Sequence, residues 1–512
     1  MNAHDQSREA LNLLCLPVEI LNQIISNLLN IDIKNLRQTC IYLKDIARPR
    51  INRLFLSTNL QDIQVFTAVV DHEIYRHRVT EIIYDDVRFS HTEGTDSQPN
   101  YDMADDMADD IGDAEDLPLW FRDAYHKTYR VLEHYDRHSI KVKGVSRNPL
   151  GPVESFKPFR TLWQQQQATV ATNRDADALK HGLSRLTNLR RVTITPATHG
   201  VPSRPLYYTP TIRSLAQGIL YPIKRGWPVT SIGDNRLEEE QDWNEEYKAQ
   251  WRGYFLVSRT LAQHLRENPR SKFTEIVINT NQLRTGISSR IFETESNEKT
   301  DLDTILSQPG FTRLDLSLYC GHQHECVWSS FGTGRLRNLL AKATDIQHFS
   351  LSTNMSMRTE DEVDETFFPL RSIFPVSEWH QLRHFGLSRF NVQKDDVIAL
   401  LESLPQTLTS VELSFLLFFP DQGNYQTLLE DMRDKLGWRE RSLVGQPGIL
   451  IRVDTSSEPT LGAVLQDLSR EVESFVYHDG ENPFETLEDF NWLTDVTEDA
   501  GVLVNAFESD YE

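Results

Sequence analysis

FTRLDLS (residues 311–317) is one of four copies of a pattern that reads apolar-x-x-apolar-x-Leu-Ser. The others are IQHFSLS (346–352), LRHFGLS (382–388) and LTSVELS (408–414). Apolar side chains alternate with other residues at the centre of each copy, which predicts a short β-strand. Helical stretches such as RLRNLLAKA and DDVIALLESL lie between copies. One strand and one helix per copy predict an α/β solenoid, in which a parallel sheet carries its helices on the outside.

Three weaker copies extend this pattern toward the amino terminus: LRRVTIT (189–195), FTEIVIN (273–279) and VTEIIYD (79–85). The four clear copies begin 35, 36 and 26 residues apart, so the connections between strands must vary in length. We therefore predict an irregular solenoid over residues 58–445. An insertion is expected near residues 200–260, where Pro, Trp and Tyr are frequent.

Two acidic segments interrupt or follow the solenoid. Residues 93–117 contain Met-Ala-Asp-Asp twice and no Lys or Arg, a composition that predicts a disordered insertion. Alternatively, the segment is a solvated charge run without a role. Residues 446–512 are expected to supply a strand (ILIRV), a helix near 461–468, a cap on the last repeat and an acidic tail.

The amino-terminal stretch LLCLPVEILNQIISNLL (13–29) predicts a short helix that begins at Pro17 and ends near Leu29. Ile20, Ile24 and Leu28 are spaced four apart and form one apolar stripe. A second stripe lies beside the first, so the apolar face is wider than an ordinary surface helix needs.

Two more short helices complete this unit, which we assign to residues 1–57. Asp32 is the expected N-cap of the second helix. The third holds Leu43, Ile46 and Ala47, and Pro49 ends it. So small a unit buries little surface alone, so a surface outside it is expected to cover part of the wide face. The alternative is an ordinary core helix that caps the solenoid.

Composition excludes several classes of protein. The chain has 512 residues and a net charge of −22, which argues against nucleic acid as a partner, because phosphate binding requires clustered Lys and Arg. Four cysteines suit a reducing compartment. The first residues lack the pattern of a signal peptide, and no apolar run approaches the roughly 18 residues of a membrane span. We therefore expect a location in the cytoplasm or nucleus.

The sequence offers little support for catalysis. CGHQHEC (320–326) has ligand types that suit zinc, but four ligands within one tight loop seldom surround an ion, and Cys320 fits a small buried residue after a strand. No nucleophile elbow or phosphate-binding glycine loop is present. We expect neither metal nor cofactor and predict a non-enzyme.

The solenoid pattern also predicts a binding surface. Alternate strand residues point away from the helices. In the four clear copies these residues are small or polar, which suits an extended surface that binds a protein substrate. The alternative is that Ser merely tolerates the junction between strand and turn. The predicted residues are Asp315, Ser317, Ser350, Ser352, Gly386, Ser388, Glu412 and Ser414.

A family resemblance joins these observations. LCLPVEILNQIISNLLNIDIKNLRQTCIYLKDIA resembles an F-box, because its Leu-Pro pair, Glu19 and several apolar residues have the order and spacing of that motif. The rest of the chain, including VESFVYHDGENPF (472–484), resembles the divergent leucine-rich-repeat F-box proteins of fungal type.

The resemblance implies a function in protein ubiquitination. The F-box would bind the Skp-type adaptor of a Skp–cullin–F-box ubiquitin ligase, and the repeat domain would select substrates. Ubiquitin transfer would belong to other subunits. Two alternatives remain: an F-box protein that works outside the ligase, and a leucine-rich-repeat scaffold. The residues that the resemblance places against the adaptor are Leu16, Pro17, Ile20, Ile24, Leu28 and Leu36.

Overall fold

The computed structural model describes residues 13–89, 117–137, 149–200, 205–222, 226–228, 242–281, 283–321, 329–355, 367–454 and 465–485. The chain divides into two compact units, Met1–Asn52 in the first and Arg53–Leu503 in the second.

The first unit is a small group of helices. After a 3₁₀ turn at Leu13–Cys15 come α1 (Val18–Ser26), α2 (Asn30–Arg37) and α3 (Ile41–Ile46). Their apolar side chains form one core. The segment that follows α3 is held to α2, because the backbone N–H of Arg50 donates to Asn30 Oδ1 at 2.8 Å. The buried core residues are Leu21, Ile25, Ile33, Leu43 and Ala47.

The first helix ends earlier than the sequence predicts. It stops at Ser26, because the side chains of Ser26 and Asn27 both donate to the carbonyl of Gln23, at 2.7 and 3.1 Å, and so compete with continued helical bonding. Leu28 therefore lies beyond the helix, where it packs inward. Asp32 is inside α2, and Leu29 occupies the N-cap position instead.

The second unit is a mixed α/β structure built on an open, mostly parallel sheet. Among the described residues, ten strands form this sheet in the order β1-β2-β3-β4-β6-β7-β8-β10-β12, with β5 beside β6. Two short pairs, parallel β9/β11 and antiparallel β13/β14, lie outside it. The strands are β1 (Arg53–Ser57), β2 (Glu81–Asp85), β3 (Arg191–Thr195), β4 (Glu275–Ile278), β5 (Ile287–Ser288), β6 (Arg313–Tyr319), β7 (His348–Thr353), β8 (His384–Ser388), β9 (Asn391–Val392), β10 (Ser410–Ser414), β11 (Leu417–Phe418), β12 (Gly448–Leu450), β13 (Arg452–Asp454) and β14 (Leu465–Asp467).

Helices occupy the connections between strands. A series of them packs neighbour to neighbour in chain order: α4, α7, α10, α11, α13, α14, α15, α16 and α17. The helices are α4 (Leu60–Asp71), α5 (Leu119–Arg137), α6 (Pro152–Thr172), α7 (Arg174–Arg185), α8 (Pro210–Ser214), α9 (Glu245–Lys248), α10 (Arg252–Glu267), α11 (Asn297–Leu306), α12 (Ser329–Gly332), α13 (Arg335–Leu340), α14 (Leu370–Ile373), α15 (Lys394–Glu402), α16 (Tyr425–Lys435) and α17 (Ser469–Tyr477).

The core lies between this helix layer and the apolar side of the sheet. The two apolar positions of each repeat copy point toward the helices. Phe349 of β7, for example, has its ring centroid 4.8 Å from that of Trp379. Tyr84 of β2 donates to Asp175 of α7 at 2.6 Å. Each large apolar side chain buried there stabilises the fold by about 1.5–3 kcal/mol.

All seven repeat copies form strands, and an eighth was missed. INRLFLS (51–57) matches the pattern fully and supplies β1, although its strand lies inside the range 1–57 that we assigned to the helical unit. Residues 465–467 form β14, so the helix predicted near 461–468 is wrong there; a short apolar run does not distinguish helix from strand.

The two predicted insertions have different outcomes. The range 200–260 includes the beginning of α10, which is the helix that connects β3 to β4, so it is partly an elaborated repeat. The acidic range 93–117 lies outside the described residues except for Leu117.

Candidate functional site

The side of the sheet that faces away from the helices carries three rows of residues, aligned by strand register. The N-terminal row contains Arg53, Glu81, Arg191, Glu275, Arg313, His348, His384 and Ser410. The central row contains Phe55, Ile83, Thr193, Val277, Asp315, Ser350, Gly386 and Glu412. The C-terminal row contains Ser57, Asp85, Thr195, Ser317, Ser352, Ser388 and Ser414.

The N-terminal row is a ladder of opposite charges. Arg53 contacts Glu81 at 3.0 Å, and Arg191 contacts Glu275 at 2.5 Å. Opposite charges placed side by side on adjacent strands stabilise the sheet modestly. Sequence reasoning missed this row, although its residues occupy the third position of every copy, where alignment of the copies could have found them.

The ladder ends in a histidine pair. The rings of His348 and His384 are stacked, with centroids 4.1 Å apart. His348 Nε2 lies 3.0 Å from Asp315 Oδ1, and Arg313 contacts the same carboxylate at 2.6 Å. Burial favours the neutral form of Asp315, but these two hydrogen-bonding neighbours lower its pKa overall.

The second histidine is neutral near physiological pH. Burial, with the nearby charges of His348 and Arg313, lowers the pKa of His384 to about 4. Its Nδ1 lies 2.7 Å from Ser410 Oγ and its Nε2 lies 3.3 Å from Ser350 Oγ. The side chains of His384, Ser350 and Ser410 therefore supply both hydrogen-bond donors and acceptors on this face of the sheet.

The predicted substrate residues share this surface but are not equally accessible. Asp315, Ser350, Ser352, Ser388 and Glu412 are partly exposed. Ser317, Ser414 and Gly386 are buried, so the predicted residues do not all reach solvent.

Those two serines bond within the protein. Ser317 Oγ accepts from Ser352 Oγ at 2.8 Å and donates to the carbonyl of Ile278. Ser414 Oγ accepts from the Arg452 backbone N–H at 3.1 Å. At these two positions the C-terminal row therefore joins neighbouring strands.

The central and C-terminal rows are buried at β2–β4, whereas Arg53, Phe55, Arg191 and Glu275 are half-buried. Ile83 in the central row is 1% exposed. Tyr207, from the stretch after β3, lies with its ring centroid 5.9 Å from that of Phe55 and accepts a hydrogen bond from Asn279 at 2.8 Å. The central row is therefore more accessible at β6–β10, at Asp315, Ser350 and Glu412, than at β2–β4.

The helical unit carries a second candidate surface. Ile20 and Ile24 are 44% and 37% exposed, and Ile41 is 79% exposed. Of the other predicted adaptor residues, Pro17 is exposed, Leu16 is half-buried, and Leu28 and Leu36 pack against the core of the unit. Exposed apolar residues that the prediction missed are Leu13, Leu14, Val18, Ile31, Ile41 and Tyr42.

No protein-family model matches this chain. A search of curated proteins also finds no match.

In the described ranges, no group of three or more His, Cys, Asp or Glu could hold a metal ion. Cys320 is a buried thiol whose pKa burial raises to about 12, and the rest of CGHQHEC, from His322 on, lies outside those ranges. No described helix has the length and apolar character needed to cross a membrane.

Proposed function

We propose that this protein is the non-catalytic substrate-recognition subunit of a Skp–cullin–F-box ubiquitin ligase. The observation that carries the proposal is the group of exposed aliphatic side chains on a small helical unit of F-box-like sequence. The unit holds only a small core of its own, and these side chains remain outside it. Ile20 and Ile24 lie one turn apart on α1, and exposed apolar side chains grouped on one face are typical of interaction sites.

The second unit is proposed to be an irregular leucine-rich-repeat-like solenoid. Its strands follow one another across the sheet in chain order, and its helices pack in the same order. Each repeat then contacts its neighbours, as in solenoid proteins. The polar rows at β6–β10 would select the substrate.

The adaptor contact has a direct test. Burying each aliphatic side chain contributes about 1.5–3 kcal/mol, so the double substitution Ile20→Ala with Ile24→Ala should weaken adaptor binding by at least several tens-fold. Binding of the purified full chain to a Skp-type adaptor is measured by calorimetry. The matched control is Leu443→Ala with Val444→Ala, which removes two exposed aliphatic side chains from the second unit and should leave binding unchanged.

Thermal unfolding of the same variants separates binding from folding. Because Ile20 and Ile24 are exposed, their loss should leave the unfolding transition of the second unit in place. Undiminished adaptor binding by the double variant would refute the F-box assignment. Addition of a cullin then distinguishes the alternatives: a ligase subunit enters a ternary complex, an F-box protein outside the ligase binds the adaptor alone, and a scaffold binds neither.

The substrate surface can be tested separately. Ser352→Arg with Ser388→Arg places two long cations on the partly exposed face and should block substrate capture, measured by proximity labelling under proteasome inhibition. The control is Ser184→Arg with Ser372→Arg, two exposed serines on helices. Equal capture by both variants would move the site away from the sheet.

A further inference from the structure

Two carboxylates are buried together at the C-terminal end of β1 and β2. Asp62 of α4 is 0% exposed and Asp85 is 1% exposed. Ser57 joins them, because its hydroxyl donates to Asp62 Oδ2 at 2.7 Å and its strand position pairs with that of Asp85. The two negative charges are close enough for Asp62 to raise the pKa of Asp85.

No positive charge in the described residues forms an ion pair with either group. Asp62 accepts hydrogen bonds from Ser57 and, at 2.8 Å, from the Thr211 backbone N–H. Asp85 Oδ1 accepts from the Val87 backbone N–H at 2.9 Å. Burial raises the pKa of both carboxyls, most strongly that of Asp85. Buried carboxylates without a counter-charge are costly, so a proton or a cation must neutralise them.

Asp86, the neighbouring buried carboxylate, has both hydrogen-bond donors and a cation close to it. It accepts from Trp227 Nε1 at 2.7 Å and from the Gly253 backbone N–H at 3.0 Å, and Arg88 lies 3.8 Å away. Asp62 and Asp85 have no equivalent cation.

Two buried hydroxyl groups with unused bonding capacity lie beside the pair. The hydroxyls of Thr198 and Thr211 lie beside Asp85 and Asp62 and lower their pKa values, yet neither forms a hydrogen bond of regular geometry. Two carboxylates with such oxygens form the donor set that hard divalent cations prefer.

We propose that Asp62 and Asp85, with the hydroxyl oxygens of Thr198 and Thr211, bind a divalent cation of the calcium and magnesium class. The ion would neutralise both carboxylates and join α4 to the ends of β1 and β2. It would also join them to the segment that carries Thr198 and Thr211. This inference is independent of the adaptor and substrate proposals.

The test uses the full chain after treatment with a chelator. Calcium and magnesium are added separately at constant ionic strength, thermal unfolding is recorded, and bound metal is counted by mass spectrometry after desalting. We expect the Tm to rise with the concentration of one of the two metals, because a ligand that binds only the folded state stabilises it. After desalting, one metal ion should remain bound to each chain. Asp85→Asn should abolish both effects.

The matched variant Asp86→Asn changes an equally buried acid that already has partners, and it should retain the response to the cation. This comparison also separates the site from weak binding by the acidic range 93–117. Thr198→Val tests the site should Asp85→Asn fail to fold, and it should weaken the cation response several-fold. A wild-type chain without bound metal and with an unchanged Tm would overturn the proposal.

Discussion

The two ends of the sheet are built from the same repeat but present different surfaces. At β1–β4 the central row contains Phe55, Ile83 and Val277, whereas at β6–β10 it contains Asp315, Ser350 and Glu412. Ile83 and Val277 are buried, whereas Asp315, Ser350 and Glu412 are partly exposed. The repeat pattern therefore determines strand register, while segments outside the pattern determine which face residues reach solvent.

Substitutions within the central row should give the largest contrast. Ile83→Ala removes a buried side chain and should lower the free energy of unfolding by about 2–5 kcal/mol. Ser350→Ala changes a half-buried residue of the same row on β7. It should alter the free energy of unfolding by no more than roughly 0.5–1 kcal/mol. Denaturant unfolding of both variants measures the difference. Similar losses of unfolding free energy in the two variants would show that the central row is buried at β6–β10 as well.

Two glycines provide a second, smaller contrast. A methyl group on Gly253 would lie 2.4 Å from the Asp86 carboxyl carbon and 2.5 Å from the ring of Tyr84, so Gly253→Ala should cost about 1–3 kcal/mol. On Gly386 it would lie 2.5 Å from Ser350 Oγ, a hydroxyl that can rotate away. Gly386→Ala should therefore cost less than about 1 kcal/mol. The same unfolding measurement tests both, and a larger loss at Gly386 would contradict the comparison.

The pH dependence should differ in sign between the two parts. Burial raises the pKa of Asp85, so in chelator its favourable contribution is complete below the unfolded pKa of about 4 and is lost as pH rises toward its folded pKa. For Asp315, His348 and Arg313 outweigh burial and lower the pKa, so its contribution is present above about pH 4 and is lost at lower pH.

Asparagine variants isolate these contributions. As pH rises from about 4 to 7, the Tm of Asp85→Asn relative to wild type should rise. The Tm of Asp315→Asn relative to wild type should fall as pH rises toward about 4 and should change little above it. The titration of Asp85 also depends on Asp62, Asp86 and Tyr221, because these groups interact electrostatically with it. Parallel trends in the two variants would show that one environment had been misassigned.

The periodic features of the fold could be predicted from sequence. Alternation at the centre of each copy identified the strands and the side of the sheet on which Asp315 and Ser350 lie. The eighth copy, INRLFLS, carried the same information as the others. The mixed α/β class with a parallel sheet is confirmed, and the F-box and leucine-rich-repeat assignments stay predictions.

Burial could not be predicted from the same alternation. A period of two tells which face a residue occupies, but whether Ser317 or Ile83 is covered depends on neighbouring serines and on segments that share no pattern with the repeat. Similarly, the inward position of Leu28 follows from the side-chain bonds that end α1 at Ser26.

The unequal connections between parallel strands have a consequence for chain entropy. Residues 86–190 join β2 to β3, whereas residues 389–409 join β8 to β10, yet both pairs align in continuous register. The longer connection is roughly five times the shorter, and each doubling of a flexible loop costs about 0.6 kcal/mol, so closing it costs only about 1.4 kcal/mol more. Such a sheet can acquire long insertions between its strands at little thermodynamic cost.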